Sequence, residues 1–127
     1  MIFDGEKAYI EVMEGEGFHF HYVLDSDPTT FEFVFTVTDR VTRKPLLTKI
    51  YGVEDFAKVD GSTFPNSLCI NINANECLSL PVKRNYEKFY WSFKAVNTIT
   101  GYVNYLIPVD YRDKPILKVY RSMDGVE

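Results

Sequence analysis

The alternation of large aromatic residues with polar or small residues, in several short segments, constrains the fold most strongly. It is clearest over residues 31–38 and 89–96, where every second position is aromatic or aliphatic. A period of two places alternate side chains on one face of a β-strand. Because Phe, Tyr and Trp make up 16% of the chain, these segments supply enough aromatic surface for a substantial core. The pattern therefore predicts a β-sheet protein with an aromatic interior.

The same period recurs along the chain, and turn residues separate the segments. We interpret residues 8–13, 18–24, 46–51, 68–73, 102–109 and 116–120 as further strands, which gives about eight short strands. We expect at most one or two short helices, a single turn within 53–58 and a helix over 74–80 that Pro81 ends. Since parallel strands need long crossovers, the strands should be antiparallel. The sequence predicts one all-β domain over residues 1–127, an antiparallel β-sandwich, with a barrel as the alternative.

Charge and hydropathy argue against two classes of partner. Fourteen Lys and Arg stand against eighteen Asp and Glu, and the net charge is −4. Sequence-independent binding to nucleic acid needs dense positive charge, so we expect no nucleic-acid partner. No segment approaches the roughly 18 apolar residues that span a bilayer, and the first residues lack the apolar core of a signal peptide. We therefore expect no membrane association and a protein that is made in the cytoplasm and not secreted.

The two cysteines, Cys69 and Cys77, are too few for a disulfide framework or a four-cysteine zinc site. We expect two reduced thiols, although their spacing would also allow a disulfide that closes a small loop.

The only histidines, His19 and His21, lie on one face of a predicted strand. Such a pair could hold a divalent metal with nearby carboxylates, but two histidines on a solvated face need no ligand. We expect no metal or other cofactor.

No motif of the chain predicts catalysis. A Gly-x-Ser-x-Gly elbow, a P-loop and a dinucleotide-binding fingerprint are absent from the sequence. The acidic residues are scattered over the loops, so no carboxylate pair can be identified. We therefore expect a non-enzymatic protein without catalytic residues.

The run from Gly17 to Tyr22 has the alternating aromatics of nucleic-acid-binding strands, in which exposed rings stack on bases. Those strands are flanked by basic residues, whereas acidic residues flank this one on both sides. We expect Phe18 and Phe20 to point into the core instead.

Two groups of residues are candidates for contact with a protein partner. A basic cluster lies in the loop between two predicted strands, and several tyrosines, a residue type enriched at interfaces, lie near the C-terminus. The candidate partner-binding residues are Arg40, Arg43, Lys44, Tyr102, Tyr105, Tyr111 and Tyr120. Alternatively, the basic cluster is an ordinary solvated turn, and the tyrosines are exposed because the core has no room for them.

The order of motifs over residues 31–120 resembles a known family. The motifs are residues 31–39, Lys44-Pro45-Leu46, Ile70-Asn71-Ile72, Ala74-Asn75-Glu76 with Leu80, Tyr90-Trp91-Ser92-Phe93 and a hairpin within 102–119. They are similar to the immunoglobulin-like β-sandwich at the N-terminus of phage baseplate upper proteins and in related small virion proteins. The resemblance implies an immunoglobulin-like sandwich whose role is assembly and which has no catalytic or ligand residues to carry over.

The sequence thus favours a structural protein of a phage particle, in the baseplate, head decoration or fibre attachment, that packs against other virion subunits and forms a homo-oligomer. A carbohydrate-binding module is an alternative, because β-sandwiches can present Trp and Tyr rings to sugars. Trp91 lies between Phe89 and Phe93 in the alternation, so we expect it in the core. A small nucleic-acid-binding barrel is the remaining alternative.

Overall fold

Two β-sheets pack face to face in the computed structural model, which describes residues 1–4, 8–108, 110 and 112–122. The strands are β1 (Ile2–Asp4), β2 (Tyr9–Met13), β3 (Phe18–Val23), β4 (Phe31–Thr38), β5 (Pro45–Tyr51), β6 (Phe56–Ala57), β7 (Ser67–Ile72), β8 (Tyr86–Asn97), β9 (Val103–Ile107) and β10 (Ile116–Tyr120). A 3-10 turn, Val53–Asp55, precedes β6, and the helix α1 (Ala74–Leu78) follows β7.

The all-β sandwich predicted from the alternation is confirmed, and the two separate sheets argue against the barrel. The described ranges contain ten strands rather than about eight. The two additional strands, β1 and β6, are only three and two residues long. Two or three residues are too few to show a hydrophobic period in the sequence. These strands form because β2 pairs with β1 and β7 pairs with β6.

The larger sheet has the strand order β1-β2-β10-β8-β4-β5, and β9 pairs with the second half of β8. The smaller sheet has the order β3-β7-β6. The expectation of purely antiparallel strands is wrong at one place, because β2 and β10 run parallel. No crossover helix is needed there, since most of the chain lies between these two strands and forms the rest of the sandwich.

The core consists of the inward-facing side chains of both sheets. Phe20 of the small sheet contacts Phe35 and Trp91 of the large sheet, with ring centroids 6.2 and 5.5 Å apart. Tyr22 meets Phe93 in the same way, at 5.2 Å. Tilted and edge-on rings at these distances are the favoured aromatic geometries. The inward face of the large sheet is thus used for packing, which leaves its outward face for solvent or partners.

One side of the sandwich is closed by a charged bridge. Lys49 of β5 lies opposite the buried Phe35 and therefore starts from the core side of the sheet. Its Nζ donates to the carbonyl oxygen of Asn71 at 2.9 Å and to Glu76 Oε1 at 3.1 Å. Glu76 also belongs to the capping box of α1 with Asn73. The bridge joins the edge of the large sheet to the small sheet and its helix.

Candidate docking surface

Tyrosines collect on the outward side of the large sheet because strand registry aligns them. Tyr86 of β8 lies opposite Tyr120 of β10, and Tyr90 lies opposite Ile116. Tyr9 of β2 and Tyr105 of β9 extend the same side. We call this side, with Tyr9, Tyr86, Tyr90, Tyr105 and Tyr120, the tyrosine face. Every one of these rings except that of Tyr9 lies within cation–π distance of a Lys or Arg.

At one end of the tyrosine face, Lys118 lies between two rings. Its Nζ is 4.3 Å from the ring centroid of Tyr86 and 4.7 Å from that of Tyr120. Glu11 accepts hydrogen bonds from the hydroxyls of Tyr9 and Tyr120. The hydrogen bond to Tyr120 raises the pKa of Lys118, and the charge of Glu11 adds to this effect. Burial, together with Glu11, raises the pKa of Tyr9 to about 12. This network holds the half-buried rings of Tyr9 and Tyr120 and the exposed ring of Tyr86 in defined orientations.

Three cations surround the ring of Tyr90 in the middle of the face. Arg40, Arg43 and Lys114 lie 5.6, 5.3 and 5.8 Å from its centroid. Hydrogen bonding to Arg40 lowers the pKa of Tyr90, and the charges of Lys114, Arg40 and Arg43 lower it further. We call Arg40, Arg43, Lys114 and Tyr90 the basic cluster. It concentrates positive charge on a chain whose net charge is −4.

The loop between β4 and β5 places two of these cations. Asp39 Oδ1 accepts the backbone N–H groups of Val41 and Thr42 at 2.8 and 2.9 Å, so the loop folds around this carboxylate. These two hydrogen bonds lower the pKa of Asp39. The carboxylate of Asp39 thus takes its hydrogen bonds from its own loop. The salt bridges of the described residues include none between Asp39 and Arg40 or Arg43.

A groove of about 470 Å³ runs beside the basic cluster. Its lining includes Arg40, Lys83, Lys88 and Tyr90 as well as Asp39 and Glu87. Three of its ten lining residues are Lys or Arg and two are Asp or Glu, so the groove offers groups that can pair with the charged or hydrogen-bonding groups of a partner.

At the far end, Lys94 lies 5.9 Å from the ring centroid of Tyr105. The hairpin that joins β8 to β9 then exposes large side chains: Tyr102 is 80% and Ile99 is 79% exposed. Val103 at the start of β9 is also exposed. This end of the face thus exposes aromatic and aliphatic side chains beside a single cation, Lys94, in contrast to the basic cluster.

The structure brings together four of the seven residues proposed from the sequence. Tyr105 and Tyr120 belong to the tyrosine face, and Arg40 and Arg43 lie over the ring of its Tyr90. Lys44 is exposed in the β4–β5 loop, and Tyr102 lies on the hairpin outside the cation–tyrosine contacts. Tyr111 lies outside the described residues.

The sequence does not predict three tyrosines of the face, Tyr9, Tyr86 and Tyr90, or the two lysines over its rings, Lys114 and Lys118. For Tyr86 and Tyr90 a signal was present, because they alternate with the buried Phe89 and must point outward. The pairing of β8 with β10, which brings Lys118 to Tyr86, leaves no local trace in the sequence.

The histidines lie on the outward face of the small sheet. The rings of His19 and His21 are 6.2 Å apart, both residues are exposed, and His21 is registered opposite Cys69. Within residues 1–4, 8–108, 110 and 112–122, no three or more His, Cys, Asp or Glu are grouped so that they could hold a metal.

Both cysteines are free, Cys69 exposed and Cys77 buried. The small loop between them is therefore not closed by a disulfide.

The other aromatic candidates are in the core, as expected. Trp91 is 2% exposed, and its Nε1 donates to the carbonyl oxygen of Ala8. Trp91 therefore cannot serve as a platform for sugars. Phe18 and Phe20 are also buried, so they are not available to stack on bases.

In the part of the chain that the structure describes, no helix is long and apolar enough to cross a bilayer. No protein-family model and no curated protein matches the chain.

Proposed function

We propose that the chain is a non-enzymatic structural protein of a phage particle that packs against other virion subunits through its tyrosine face. One observation carries this proposal: four tyrosine rings on one outward sheet face are held by cations of the same chain. The resemblance of residues 31–120 to virion sandwiches adds the phage context.

The tyrosine face has the composition of a protein interface. Tyr and Arg are enriched where proteins meet, and both contribute strongly to binding free energy. A ring that is already held, as Tyr86 and Tyr120 are by Lys118, loses little conformational entropy on binding. We therefore infer that the face binds as a preformed surface.

The basic cluster favours an acidic patch on the neighbouring subunit. Complementary charge of this kind speeds encounter and fixes orientation more than it raises affinity. In this proposal the neighbour supplies carboxylates to Arg40 and Arg43, and the chain acts without nucleic acid, membrane or cofactor. It is made in the host cytoplasm and incorporated into the virion.

Incorporation into particles tests the proposal. Mass spectrometry of purified particles should detect the chain, and the double variant Arg40→Glu/Arg43→Glu should reduce its amount at least ten-fold. The control Lys58→Glu, an exposed residue just after β6, makes the same kind of charge change away from the tyrosine face. Its incorporation should be unchanged. Particles without the wild-type chain, or equal incorporation of the double variant, would contradict the proposal.

A further inference from the structure

The basic cluster gathers like charges on one ring. Arg40, Arg43 and Lys114 each lie within 5.8 Å of the ring centroid of Tyr90, and no other ring of the described ranges has three cations over it. Like charges that are held close together repel one another. The negative face of the Tyr90 ring offsets only part of this repulsion, because cation–π contacts at exposed sites are weak. The arrangement therefore favours a further negative charge at this place.

Carboxylates of the described residues do not supply that charge. None of the three cations takes part in the salt bridges of these residues, and every charge that shifts the pKa of Tyr90 is positive. Asp39, the carboxylate of the same loop, accepts from backbone N–H groups of that loop instead. At the other end of the tyrosine face, by contrast, the charge of Glu11 acts on Lys118. The basic cluster thus differs from the Lys118 site in its uncompensated positive charge.

The backbone that carries these cations is held in place without a ligand. Arg43 has a φ of +63°, in the left-handed region that few side chains adopt, and its N–H donates to the carbonyl oxygen of Asp39 at 3.1 Å. The N–H of Trp91 donates to the carbonyl oxygen of Pro115 at 3.1 Å, which fixes the residue after Lys114 against β8. Backbone that is ordered in advance loses little conformational entropy on binding.

The groove of about 470 Å³ beside the cluster gives a small anion access to it. Arg40 and Tyr90 line the groove, and Lys83 and Lys88 add positive charge. Glu87 also lines it, but it alternates with Lys88 and Tyr90 along β8 and therefore starts from the other face of the strand. Since a water molecule takes about 30 Å³ of liquid volume, the groove has room for an oxyanion and several waters.

We propose that the basic cluster binds a phosphate dianion, either the free ion or the phosphoryl group of a monoester. Arg40 and Arg43 pair with its oxygens through their guanidinium groups, Lys114 adds a third positive charge, and the Tyr90 hydroxyl donates a hydrogen bond. A phosphoryl group suits three cations better than a single carboxylate does, because it carries a charge of about −1.5 to −2 at pH 7 and has more acceptor oxygens.

This site goes beyond the proposed function, because it belongs to the isolated chain and needs no neighbouring subunit. Where both hold, phosphate competes with the carboxylates of a neighbour for Arg40 and Arg43. Docking then requires that the bound anion leaves.

An NMR titration of the isolated chain with inorganic phosphate tests the proposal. Chloride keeps the ionic strength constant, so that general screening does not change during the titration. We expect saturable shifts of the backbone amide signals of residues 39–44 and 114. Acetate, which carries one charge, should bind at least ten-fold more weakly than phosphate.

Methyl phosphate distinguishes the two sources of the dianion. If it binds at least as tightly as inorganic phosphate, the site takes a monoester. If it binds more weakly, the site takes the free ion. Both results support a phosphate site at the basic cluster.

The variant Arg43→Asn removes one cation and suits the backbone, because Asn tolerates the left-handed conformation at this position. We expect its dissociation constant for phosphate to rise at least five-fold. Lys58→Gln is the matched control, since it also removes one positive charge, at an exposed residue just after β6. It should bind phosphate like the wild type, and far-UV circular dichroism should show both variants folded.

Three results would overturn the proposal: shifts that do not saturate, acetate that binds as tightly as phosphate, or an equal effect of Arg43→Asn and Lys58→Gln. A chain that binds phosphate but is absent from particles contradicts the proposed function alone. A chain that is incorporated into particles but binds no phosphate contradicts the phosphate site alone.

Discussion

Trp91 donates its indole N–H to the carbonyl oxygen of Ala8 at 3.0 Å, although the two residues are 83 positions apart in the chain. The bond ties the residue that precedes β2 to the central strand β8. It also satisfies the polar atom of the one Trp, which can therefore be buried without a penalty.

Replacing Trp91 tests this placement. Trp91→Phe removes the donor to Ala8 and reduces the buried volume, so it should lower the free energy of unfolding by about 2 kcal/mol or more. Urea denaturation followed by far-UV circular dichroism measures the change. Tyr102→Phe, at an exposed position, should change stability by less than about 0.5 kcal/mol. The wild-type Trp emission should be blue-shifted and poorly quenched by acrylamide; rapid quenching would contradict a buried indole.

The bridge from Lys49 to Glu76 should contribute to stability in a pH-dependent way. The backbone hydrogen bond at Asn73 is the main cause that lowers the pKa of Glu76 from 4.5, and Lys49 lowers it further. A lowered folded-state pKa contributes stability that is present above 4.5 and is lost as the pH falls through the folded value. Glu76→Gln should therefore be less stable than the wild type at pH 7, and the difference should vanish in acid.

A double-mutant cycle with Lys49→Met isolates the pair. Because both side chains are partly exposed, we expect a coupling energy of about 0.5–1 kcal/mol at pH 7. A coupling energy of zero, measured by denaturant unfolding, would show that the bridge does not hold the two layers together.

Gly17 should not tolerate a side chain. A Cβ at this position would lie 2.9 Å from the carbonyl oxygen of Ile72 and 3.3 Å from the backbone nitrogen of Ala74. Gly17→Ala must shift backbone at the junction of β7 and α1, so it should cost about 1–3 kcal/mol of unfolding free energy. At Gly52 the nearest atoms belong to the flexible end of the Glu54 side chain, which can move away. Thermal unfolding of Gly52→Ala should therefore show the smaller loss, and the reverse order would contradict the packing at Gly17.

The basic cluster should be visible in the titration of Tyr90. Arg40 is the main cause that lowers its pKa below 10.0. Removing this cation with Arg40→Gln should move the titration of Tyr90 to higher pH, whereas Lys94→Gln, which alters the neighbouring Tyr105 contact, should not. Ring carbon chemical shifts followed by NMR, with Tyr90→Phe to assign the signal, measure the midpoint. An unchanged midpoint in Arg40→Gln would mean that Arg40 does not reach the hydroxyl in solution.

Local sequence patterns accounted for the longer strands and for the inward-facing residues. The period of two over 31–38 and 89–96 corresponds to β4 and β8, because buried aromatic side chains must alternate on a strand. β6 is not predicted from the sequence, because its two residues follow a 3-10 turn and the pattern over 53–58 indicates a helical turn alone. The parallel pairing of β2 with β10 joins distant segments, and such pairing depends on tertiary packing rather than on local sequence.

In the candidate site, too, local features can be predicted from the sequence and tertiary contacts cannot. The sequence identifies Arg40 and Arg43 as part of a charge cluster in a loop. That they surround Tyr90 depends on how β4 pairs with β8, which places Thr38, at the end of β4, opposite Tyr90. Single charges could thus be predicted from the sequence, whereas the face they form could not.

Cross-linking mass spectrometry of assembled particles tests the docking role of the tyrosine face most directly. Lys94 and Lys114 contact rings of this face, whereas Lys58 lies just after β6 of the small sheet. We predict cross-links to neighbouring subunits from Lys94 and Lys114 and none from Lys58. Cross-links to neighbours from Lys58 alone would contradict assembly through the tyrosine face.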